Sequence, residues 1–189
     1  MRGRAVIWFT SDTHFNHTNI LRYCARPFES VAHMNSVLVA NWNACVAPDD
    51  TVYHLGDFAM GDRERIPDIL AQLNGNLVLV PGNHDNKRDD RHFPVVLRCD
   101  RLTVEAGGHI IELAHDPKHV TGAGDFALCG HVHGAWLRRD KGVVPAFDNG
   151  HRSGEAFVVP CAVLNVGVDQ WQYRPVTLGE AVNTALGRV

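Results

Sequence analysis

The sequence lacks any apolar run that approaches the roughly 18 residues of a membrane-spanning helix. Its first apolar stretch, residues 5–9, is short and is not followed by a small-residue cleavage site, so it does not resemble a secretory signal peptide. We therefore expect a protein of the cytoplasm that has no membrane partner.

Cysteine pairs are also missing. The chain has 5 cysteines, an odd number, and none of them forms a Cys-x-x-Cys pair. Such pairs are typical of structural zinc sites and of dithiol redox centres, so neither is expected here. We predict reduced thiols, most of them buried, at Cys24, Cys45, Cys99, Cys129 and Cys161.

The chain has no excess of basic residues. Lys and Arg number 18 against 21 Asp and Glu, which gives a formal net charge of −3 at pH 7. Long nucleic acids are held mainly by basic side chains that neutralise phosphates, so binding of extended nucleic acid is not expected. The sequence also has no Walker A run, no Gly-x-Ser-x-Gly elbow and no His-Glu-x-x-His motif, which argues against three common enzyme classes.

What is present indicates a globular α/β protein. With 189 residues, 45% of them hydrophobic and 21% charged, we expect a single domain over residues 1–189. Strand patterns at residues 5–10, 51–55 and 77–80 alternate with helical patterns at residues 31–46, capped by Ser30, and 62–73, capped by Asp62. This alternation predicts parallel βαβ units, with ligand-binding groups at the carboxyl ends of the strands.

The pattern changes after residue 93. Short strand-like runs there predict hairpins and a second, more antiparallel sheet; they lie at residues 95–98, 102–106, 109–114, 126–129, 156–159 and 162–166. Residues 138–155 are predicted to form a loop or a flexible hairpin. A capping box of Thr177 and Glu180 predicts a last helix that ends near Leu186.

Polar residues suited to metal binding follow five of the predicted strands. They include several of the 12 histidines and comprise Asp12, His14, Asp57, Asn83, His84, Asp85, His115, His131 and His133. Because Asp12 and His14 are two residues apart in a chain predicted to be extended, their side chains should point to the same side. The same holds for His131 and His133. Any one of these residues could be a simple cap or turn residue, but so many at one sheet edge indicate a shared site.

Two metal ions would account for this set of residues. Two Asp, one Asn and four neutral His carry a charge of −2, against +4 for two divalent cations. The pocket would be net positive and would attract an anionic phosphate.

The order and type of these residues resemble a known family. The blocks Asp12-x-His14, Gly56-Asp57, Gly82-Asn83-His84-Asp85, His115 and Gly130-His131-x-His133 are similar to the five ordered blocks of the calcineurin-like metallophosphoesterases, in particular small bacterial and phage members. The resemblance implies an α/β fold of two packed mixed β-sheets flanked by helices, a four-layer α-β-β-α sandwich.

The resemblance also implies a ligand set. The first metal would be held by Asp12, His14, Asp57 and His133, and the second by Asp57, Asn83, His115 and His131, with Asp57 bridging. The ions would be divalent, with manganese favoured among Mn, Fe, Zn, Ni and Co. A metal-bridging hydroxide would be the nucleophile, His84 would act as the general acid or as a clamp on the developing charge, and Asp85 would orient its ring.

The function implied is hydrolysis of phosphate esters, with a phosphodiester or a small nucleotide-type substrate favoured. Alternatives on the same site are a phosphomonoesterase and a nucleotide pyrophosphohydrolase. An alternative of another class is a metal-binding scaffold protein with little activity. A nuclease would need a basic path to the site, and the net charge of −3 argues against a processive one.

Several other residues have weaker signals. His17, Lys87 and Arg88 could contact the substrate, although His17 could equally be a cap or surface residue and the two basic residues could lie in a solvated loop. His54 is interpreted as a hydrogen-bonded histidine of the core or of the surroundings of the site. Residues 122–127 match the Gly-x-Gly-x-x-Ala dinucleotide pattern, but they follow no predicted strand and open no helix, so we discard that match.

Overall fold

Two mixed five-stranded sheets form the centre of this computed structural model, which describes residues 5–148 and 153–188. The first sheet has the order β14-β1-β2-β3-β4, with strands β1 Ile7–Thr10, β2 Thr51–His54, β3 Asn76–Leu79, β4 Val95–Val96 and β14 Val176–Thr177. The second has the order β5-β6-β7-β13-β8, with strands β5 Leu102–Ala106, β6 His109–Leu113, β7 Phe126–Cys129, β8 Arg138–Arg139 and β13 Val163–Asn165.

The helices are α1 Ile20–Tyr23, α2 Val31–Cys45, α3 Ile66–Leu70 and α4 Leu178–Ala185. Five 3₁₀ turns lie at Arg63–Arg65, Lys87–His92, Pro117–His119, His133–Ala135 and Val168–Gln170. Within the described ranges, no helix combines the length and the apolar character needed to cross a membrane.

The first sheet confirms the predicted βαβ arrangement. Strands β1 to β4 are parallel, with Phe9 opposite Tyr53 and Tyr53 opposite Val78, and only β14 runs antiparallel to its neighbour. Side chains alternate between the two faces, so Trp8 packs in the cluster with α2 and α3 while Phe9 packs towards the second sheet. The carboxyl ends of β1, β2 and β3 therefore lie side by side at one edge.

The second sheet is mixed. Its outer pairs, β5 with β6 and β13 with β8, are antiparallel, whereas β6 with β7 and β7 with β13 are parallel. Its inner face packs on the first sheet through Ile111, Leu113, Leu128 and Leu164. The expected fold of two packed mixed sheets flanked by helices is confirmed.

The outer face of the second sheet is covered by a β-ribbon rather than by a long helix in the described chain. Strands β9 Gly142–Val144 and β12 Phe157–Val159 pair antiparallel, and β10 Phe147–Asp148 pairs with β11 Ser153–Gly154. Val144 and Val159 pack against Ala127 and Val163 of the sheet. The predicted hairpin at residues 138–155 is thus present where the chain is described, and residues 149–152 lie outside the described residues.

The predicted helix over residues 62–73 is shorter than expected. The α-helical part is Ile66–Leu70, preceded by the 3₁₀ turn at Arg63–Arg65, and the side chain of Asp62 makes no cap hydrogen bond. The reason is Pro67, whose ring would clash with the carbonyl four residues earlier if the α-helix extended further back. By contrast, Ser30 caps α2 as predicted, accepting a hydrogen bond from the His33 N–H at 3.1 Å.

The cysteines are free, as predicted, but the prediction that most are buried is wrong. Only Cys129 is buried, Cys99 is exposed, and Cys24, Cys45 and Cys161 are half-buried. Cys129 is the one that lies in a strand with both faces covered, which the cysteine count could not reveal.

A buried carboxylate explains the glycine-rich segment that matches the dinucleotide pattern. Glu112 is fully buried, and its two oxygens accept hydrogen bonds from the backbone N–H groups of Thr121, Gly122 and Ala123 and from the Thr121 hydroxyl. The segment then enters β7 rather than a helix. Its N–H groups therefore serve an internal carboxylate.

The capping box of α4 yields a test of stability against pH. Hydrogen bonds from Arg174, opposed by partial burial and aided by hydrogen bonds from Thr177, lower the pKa of Glu180 to about 2 from its ordinary value of 4.5. A carboxyl with a lowered folded-state pKa stabilises the fold above its unfolded value and loses that contribution as the pH falls through the folded value. We expect Glu180→Gln to lower the free energy of unfolding by roughly 0.5–1 kcal/mol at pH 7.

Denaturant unfolding at several pH values checks this expectation. The difference between Glu180→Gln and the wild-type chain should shrink as the pH falls from about 4.5 towards 2. Glu105→Gln, at an exposed glutamate of β5, is the control and should change little. A difference that stays constant from pH 7 to pH 3 would contradict the assignment.

Candidate metal centre

The polar blocks of the sequence meet where five strands end. Asp12 follows β1, Asp57 follows β2, Asn83 follows β3, His115 follows β6 and His131 follows β7. Backbone hydrogen bonds join these segments: Asp12 N–H donates to the Gly56 carbonyl at 3.0 Å, and Gly130 N–H donates to the His115 carbonyl at 3.0 Å. Both sheets thus contribute to one edge, as the strand order requires.

The backbone of the site is not extended, and our expectation for the two His-containing pairs is wrong in that respect. Asp12 and His14 have φ values of 57° and 50°, and His131 and His133 have 70° and 45°. Asp57 is also left-handed, at 57°. Each such residue costs roughly 1 kcal/mol or more, because its Cβ crowds the backbone. The side chains converge through sharp turns rather than through strand alternation.

Three short separations join ligand atoms at the expected second metal site, and the ligand atoms of Asp12, Asp57 and His115 also lie within 4.8 Å of one another. The Asn83 Oδ1 lies 3.1 Å from the His115 Nε2 and 2.9 Å from the His131 Nδ1, and the Asp57 Oδ2 lies 3.4 Å from the same His115 nitrogen. Ligand atoms about 2.0–2.2 Å from one shared ion lie roughly 3.0–3.5 Å apart. The observed separations therefore suit a common cation.

The expected first site lies on the other side of Asp57. Ligand atoms of Asp12, His14 and His133 all lie within 4.8 Å of one another. The Asp57 Oδ2 is 3.6 Å from the His14 Nε2, so the same oxygen that faces His115 also faces His14. One carboxylate oxygen is thus placed between the two groups of ligands, as expected for a bridge.

A buried ring nitrogen of His14 without a hydrogen-bond partner indicates that these residues fit a cation. Its Nε2 is buried and has no hydrogen-bond partner among the described residues, although it points to the shared oxygen of Asp57. A buried polar atom without a partner is costly and calls for an explanation. Carboxylate, amide and imidazole ligands are those that divalent transition metals accept, so this nitrogen is suited to metal coordination.

In His115 and His133, a hydrogen bond from the Nδ1 atom fixes the orientation of the ring. The His115 Nδ1 donates to the Leu55 carbonyl at 2.6 Å, since a carbonyl can only accept, and the His133 Nδ1 donates to the Asp169 carboxylate at 2.9 Å. In both rings the Nε2 is then left to face the site. Metal-bound histidines are typically held in this way.

Electrostatics couple Asp57 to the histidines around it. Burial alone would raise the pKa of Asp57, but the positive fields of His115 and His14 hold it well below the usual range. Burial alone would lower the pKa of His115, and the charge of Asp57 instead raises it to about 9. Metal binding to the neutral imidazole would therefore release a proton.

Glycines allow the segments to approach closely. A Cβ on Gly56, which has a φ of 91°, would overlap the backbone of Gly82, and a Cβ on Gly130 would overlap the Ser11 hydroxyl and lie 2.5 Å from the Asp12 carboxylate. The glycines that precede Asp57 and His131 are therefore a requirement of packing.

Comparison with known proteins gives relatives over nearly the whole chain. No family model matches the sequence. The chain is 34% identical over 176 residues to the uncharacterized protein MJ1445 of Methanocaldococcus jannaschii, covering 91% of this chain and 86% of that protein. It is 28% identical over 187 residues to the gene 66 protein of Mycobacterium phage L5, covering 87% and 86%.

A solved structure of a protein of unknown function shares the fold. The protein of unknown function AQ665 from Aquifex aeolicus has a TM-score of 0.69 and 25% identity, covering 96% of this chain and 100% of that one. An archaeal phosphodiesterase has a TM-score of 0.45 and 18% identity, covering 91% and 99%, a similarity too low to say anything about activity.

The chain belongs to the same protein family as MJ1445, to which it is 34% identical over most of both chains. The resemblance of its five sequence blocks to the calcineurin-like metallophosphoesterases stays an interpretation of the sequence. Which residues of this protein bind metal or substrate stays a prediction, and the structure brings the seven expected ligands together at one edge of the sheets.

His84, the expected general acid, lies beside the first group of ligands. Its ring centroid is 5.6 Å from that of His14, and its backbone N–H donates to the Asp57 Oδ1 at 2.9 Å. Asp85, expected to orient the His84 ring, accepts hydrogen bonds from the backbone N–H groups of Asp57, Phe58 and Gly82. Burial, together with the charge of Asp57, raises the pKa of Asp85 to about 6. The contacts of Asp85 thus join the segments after β2 and β3.

The three weaker substrate candidates differ in position. His17 is buried beside His14, with their Nδ1 atoms 3.3 Å apart, so it is not a surface residue. Lys87 and Arg88 are exposed on a 3₁₀ turn, and no described contact connects them to the ligands. This agrees with the solvated-loop alternative for the basic pair.

His54 is a core histidine, as interpreted. It is fully buried; the Thr13 hydroxyl donates to the Phe58 carbonyl and so accepts from the His54 Nε2 at 3.0 Å. The Nδ1 accepts from the Gly56 N–H at 3.2 Å. Burial lowers the pKa of His54 to about 3, so the ring is neutral, and neither nitrogen is available for a metal.

Sequence reasoning missed the residues that support the ligands from behind. Arg26 and Asp169 form a buried ion pair behind Asp12 and His133, and Arg63 donates to the His84 carbonyl at 2.8 Å. Asp116 has a carboxylate oxygen 3.9 Å from the His131 Nε2. No spacing rule relates Arg26, Arg63 or Asp169 to the motifs, because these three residues come from other parts of the chain, whereas Asp116 directly follows His115.

The close approach at Gly130 yields a test with a matched control. We expect Gly130→Ala to displace the Asp12 carboxylate and to weaken Mn²⁺ binding at least about tenfold. A Cβ on Gly134 would meet nothing within 4 Å, so Gly134→Ala should bind Mn²⁺ like the wild-type chain. Calorimetric titration measures both, and thermal unfolding confirms that both variants fold. Wild-type affinity in Gly130→Ala would contradict the geometry.

Proposed function

We propose that this protein is a phosphoester hydrolase that requires two divalent metal ions and uses water to cleave small phosphodiester or nucleotide-type substrates. The observation that supports it best is the position of the Asp57 Oδ2, which faces His14 on one side and His115 on the other. The resemblance of the five sequence blocks to those of the calcineurin-like metallophosphoesterases supports the same reaction class.

The charge of the site suits a phosphate. Asp12 and Asp57 are its acidic ligands, and Asn83 and the four histidines are neutral when coordinating. When bound, two divalent cations would supply net positive charge for the phosphoryl oxygens and would lower the pKa of the attacking water. Nitrogen and oxygen ligands of this kind accept Mn, Fe, Zn, Ni or Co, and manganese is the ion that we propose to test first.

His84 is proposed to protonate the leaving oxygen. Its backbone is held at both ends, because its N–H donates to Asp57 and its carbonyl accepts from Arg63. Its ring is half-buried, next to His14, where a substrate phosphate could reach it. A proton on this imidazole would pass to the departing alkoxide as the ester bond breaks.

The neighbouring cavity favours a small substrate. An open cavity of about 490 Å³ borders the second group of ligands, with Asn83, His115 and His131 on one wall and Arg98, Asp100 and Asp116 on another. Arg98 is bound to the Asp90 carboxylate through two hydrogen bonds of 2.6 Å. The acidic residues disfavour a doubly charged phosphate monoester, which is the reason to prefer a diester.

Hydrolysis by the manganese-loaded protein tests the proposal. Release of nitrophenol from bis-nitrophenyl phosphate should exceed release from nitrophenyl phosphate. A panel of cyclic nucleotides, dinucleotides and nucleotide sugars would then identify the substrate class. Faster cleavage of the monoester would support a phosphomonoesterase, and preference for nucleotide sugars would support a pyrophosphohydrolase. Full metal occupancy with no hydrolysis of any compound would support the scaffold alternative and overturn the proposal.

Two substitutions should separate metal binding from proton transfer. His84→Ala should keep both Mn²⁺ ions and lose roughly 10²–10⁴-fold in kcat, because positioned acids typically contribute that much. Asp57→Ala should lose the metal ions themselves, since both groups of ligands share its carboxylate.

Metal analysis of the purified variants, with kcat measured on esters of differing leaving group, checks this split. The deficit of His84→Ala should be larger for alkyl than for nitrophenyl leaving groups, because nitrophenolate needs little protonation. His33→Ala, at an exposed histidine of α2, is the control. Equal metal content in the His84 and Asp57 variants would defeat the assignment.

A further inference from the structure

A buried ion pair joins two distant parts of the chain behind the first metal site. The Arg26 Nε donates to the Asp169 Oδ1 at 2.8 Å, and its Nη2 donates to Oδ2 at 3.0 Å, across 143 residues of sequence. The exposed fraction of the side chain is 0% for Arg26 and 6% for Asp169. A pair of charges this deeply buried needs further hydrogen bonds to be tolerated.

Arg26 finds those bonds on the segment that carries Asp12 and His14. Its Nη2 donates to the Asp12 carbonyl at 2.6 Å, and its Nη1 donates to the Thr13 carbonyl at 2.9 Å. Asp12 and His14 are left-handed, so the chain here turns away from the regular strand ladder. The guanidinium therefore satisfies carbonyls of the strained segment and fixes its shape.

Asp169 finds its remaining bond on the third ligand of the same site. Its Oδ2 accepts from the His133 Nδ1 at 2.9 Å, an arrangement that is typical of metal-bound histidines. The Arg26–Asp169 ion pair thus contacts three residues: the ligand Asp12, Thr13, which precedes the ligand His14, and the ligand His133. The second site is held differently, since His115 is oriented by the Leu55 carbonyl.

The same residues do not form a separate metal site. Ligand atoms of Cys24, His133 and Asp169 lie within 4.8 Å of one another. However, both oxygens of Asp169 already accept hydrogen bonds from Arg26, and a cation there would lie against the guanidinium charge. The cluster is organised around an internal cation, Arg26.

We propose that Arg26 and Asp169 are positioning residues that set the metal affinity of the site formed by Asp12, His14 and His133, and that they leave the site formed by Asn83, His115 and His131 unchanged. This rests on the metal pair of the proposed function. It adds that the two sites depend on different supports and can be weakened separately.

Manganese titration of the full chain tests this inference. The wild-type chain should bind two Mn²⁺ by calorimetry and show the electron paramagnetic resonance spectrum of a coupled pair. Asp169→Asn should weaken one site by roughly 10- to 100-fold, leave the other unchanged and show the spectrum of an isolated ion. Arg26→Lys, which keeps the charge but loses the fork, should fall between the wild-type chain and Arg26→Met.

A control separates positioning from general loss of stability. Asp50 is a buried carboxylate at the opposite end of β1, where it accepts from the Val6 N–H at 2.8 Å and the Trp8 indole at 2.9 Å. Asp50→Asn should lower the melting temperature and keep both Mn²⁺ ions.

Three results would overturn the inference: equal weakening of both sites in Asp169→Asn, wild-type binding in that variant, or the same metal loss in Asp50→Asn. If Asp169→Asn does not fold, Arg26→Lys and Arg26→Met test the inference instead. Each should weaken one Mn²⁺ site and leave the other unchanged. A wild-type chain that binds no manganese would overturn the metal centre itself as well. Two ions in the wild-type chain with an unchanged Asp169→Asn would overturn only the positioning role.

Discussion

The burial of the Asp57 carboxylate is the constraint on which the rest of the site depends. A charge removed from water must be compensated, and here one oxygen accepts the His84 N–H while the other faces His14 and His115. Because both sheets contribute these partners, the carboxylate is surrounded only when the two sheets are packed. The fold and the site are therefore formed together.

The second general feature is that a strained backbone is supported by residues far away in sequence. Left-handed residues carry five of the ligands, and each of these turns exposes backbone groups that the sheets do not pair. Arg26 donates hydrogen bonds to such groups in the segment after β1. Asp85 accepts hydrogen bonds from them in the segments after β2 and β3. These side chains thus hold the backbone that carries the ligands.

The first sheet was predictable because its cause is local. Apolar runs of strand length between helical patterns have few alternative structures, so β1, β2 and β3 agree with prediction within a residue or two. The second sheet was harder to predict, since the parallel pairing of β7 with β13 joins segments separated by the ribbon. Pro67 limits how far α3 extends towards its N-terminus, because its ring would clash with the carbonyl four residues earlier. The apolar stripe of this segment predicted a longer helix.

The sequence by itself determined the residue types of the site and their order along the chain, because ligand chemistry and strand ends both leave local patterns. It did not determine how the ligands converge: the left-handed turns at Asp12 and His131, and the role of Asp85, follow from contacts between segments. Only the tertiary structure decided that Arg26 and Asp169 form an ion pair. No periodicity or motif in the sequence predicts a contact between residues 143 positions apart. It exists only when the sheets have packed.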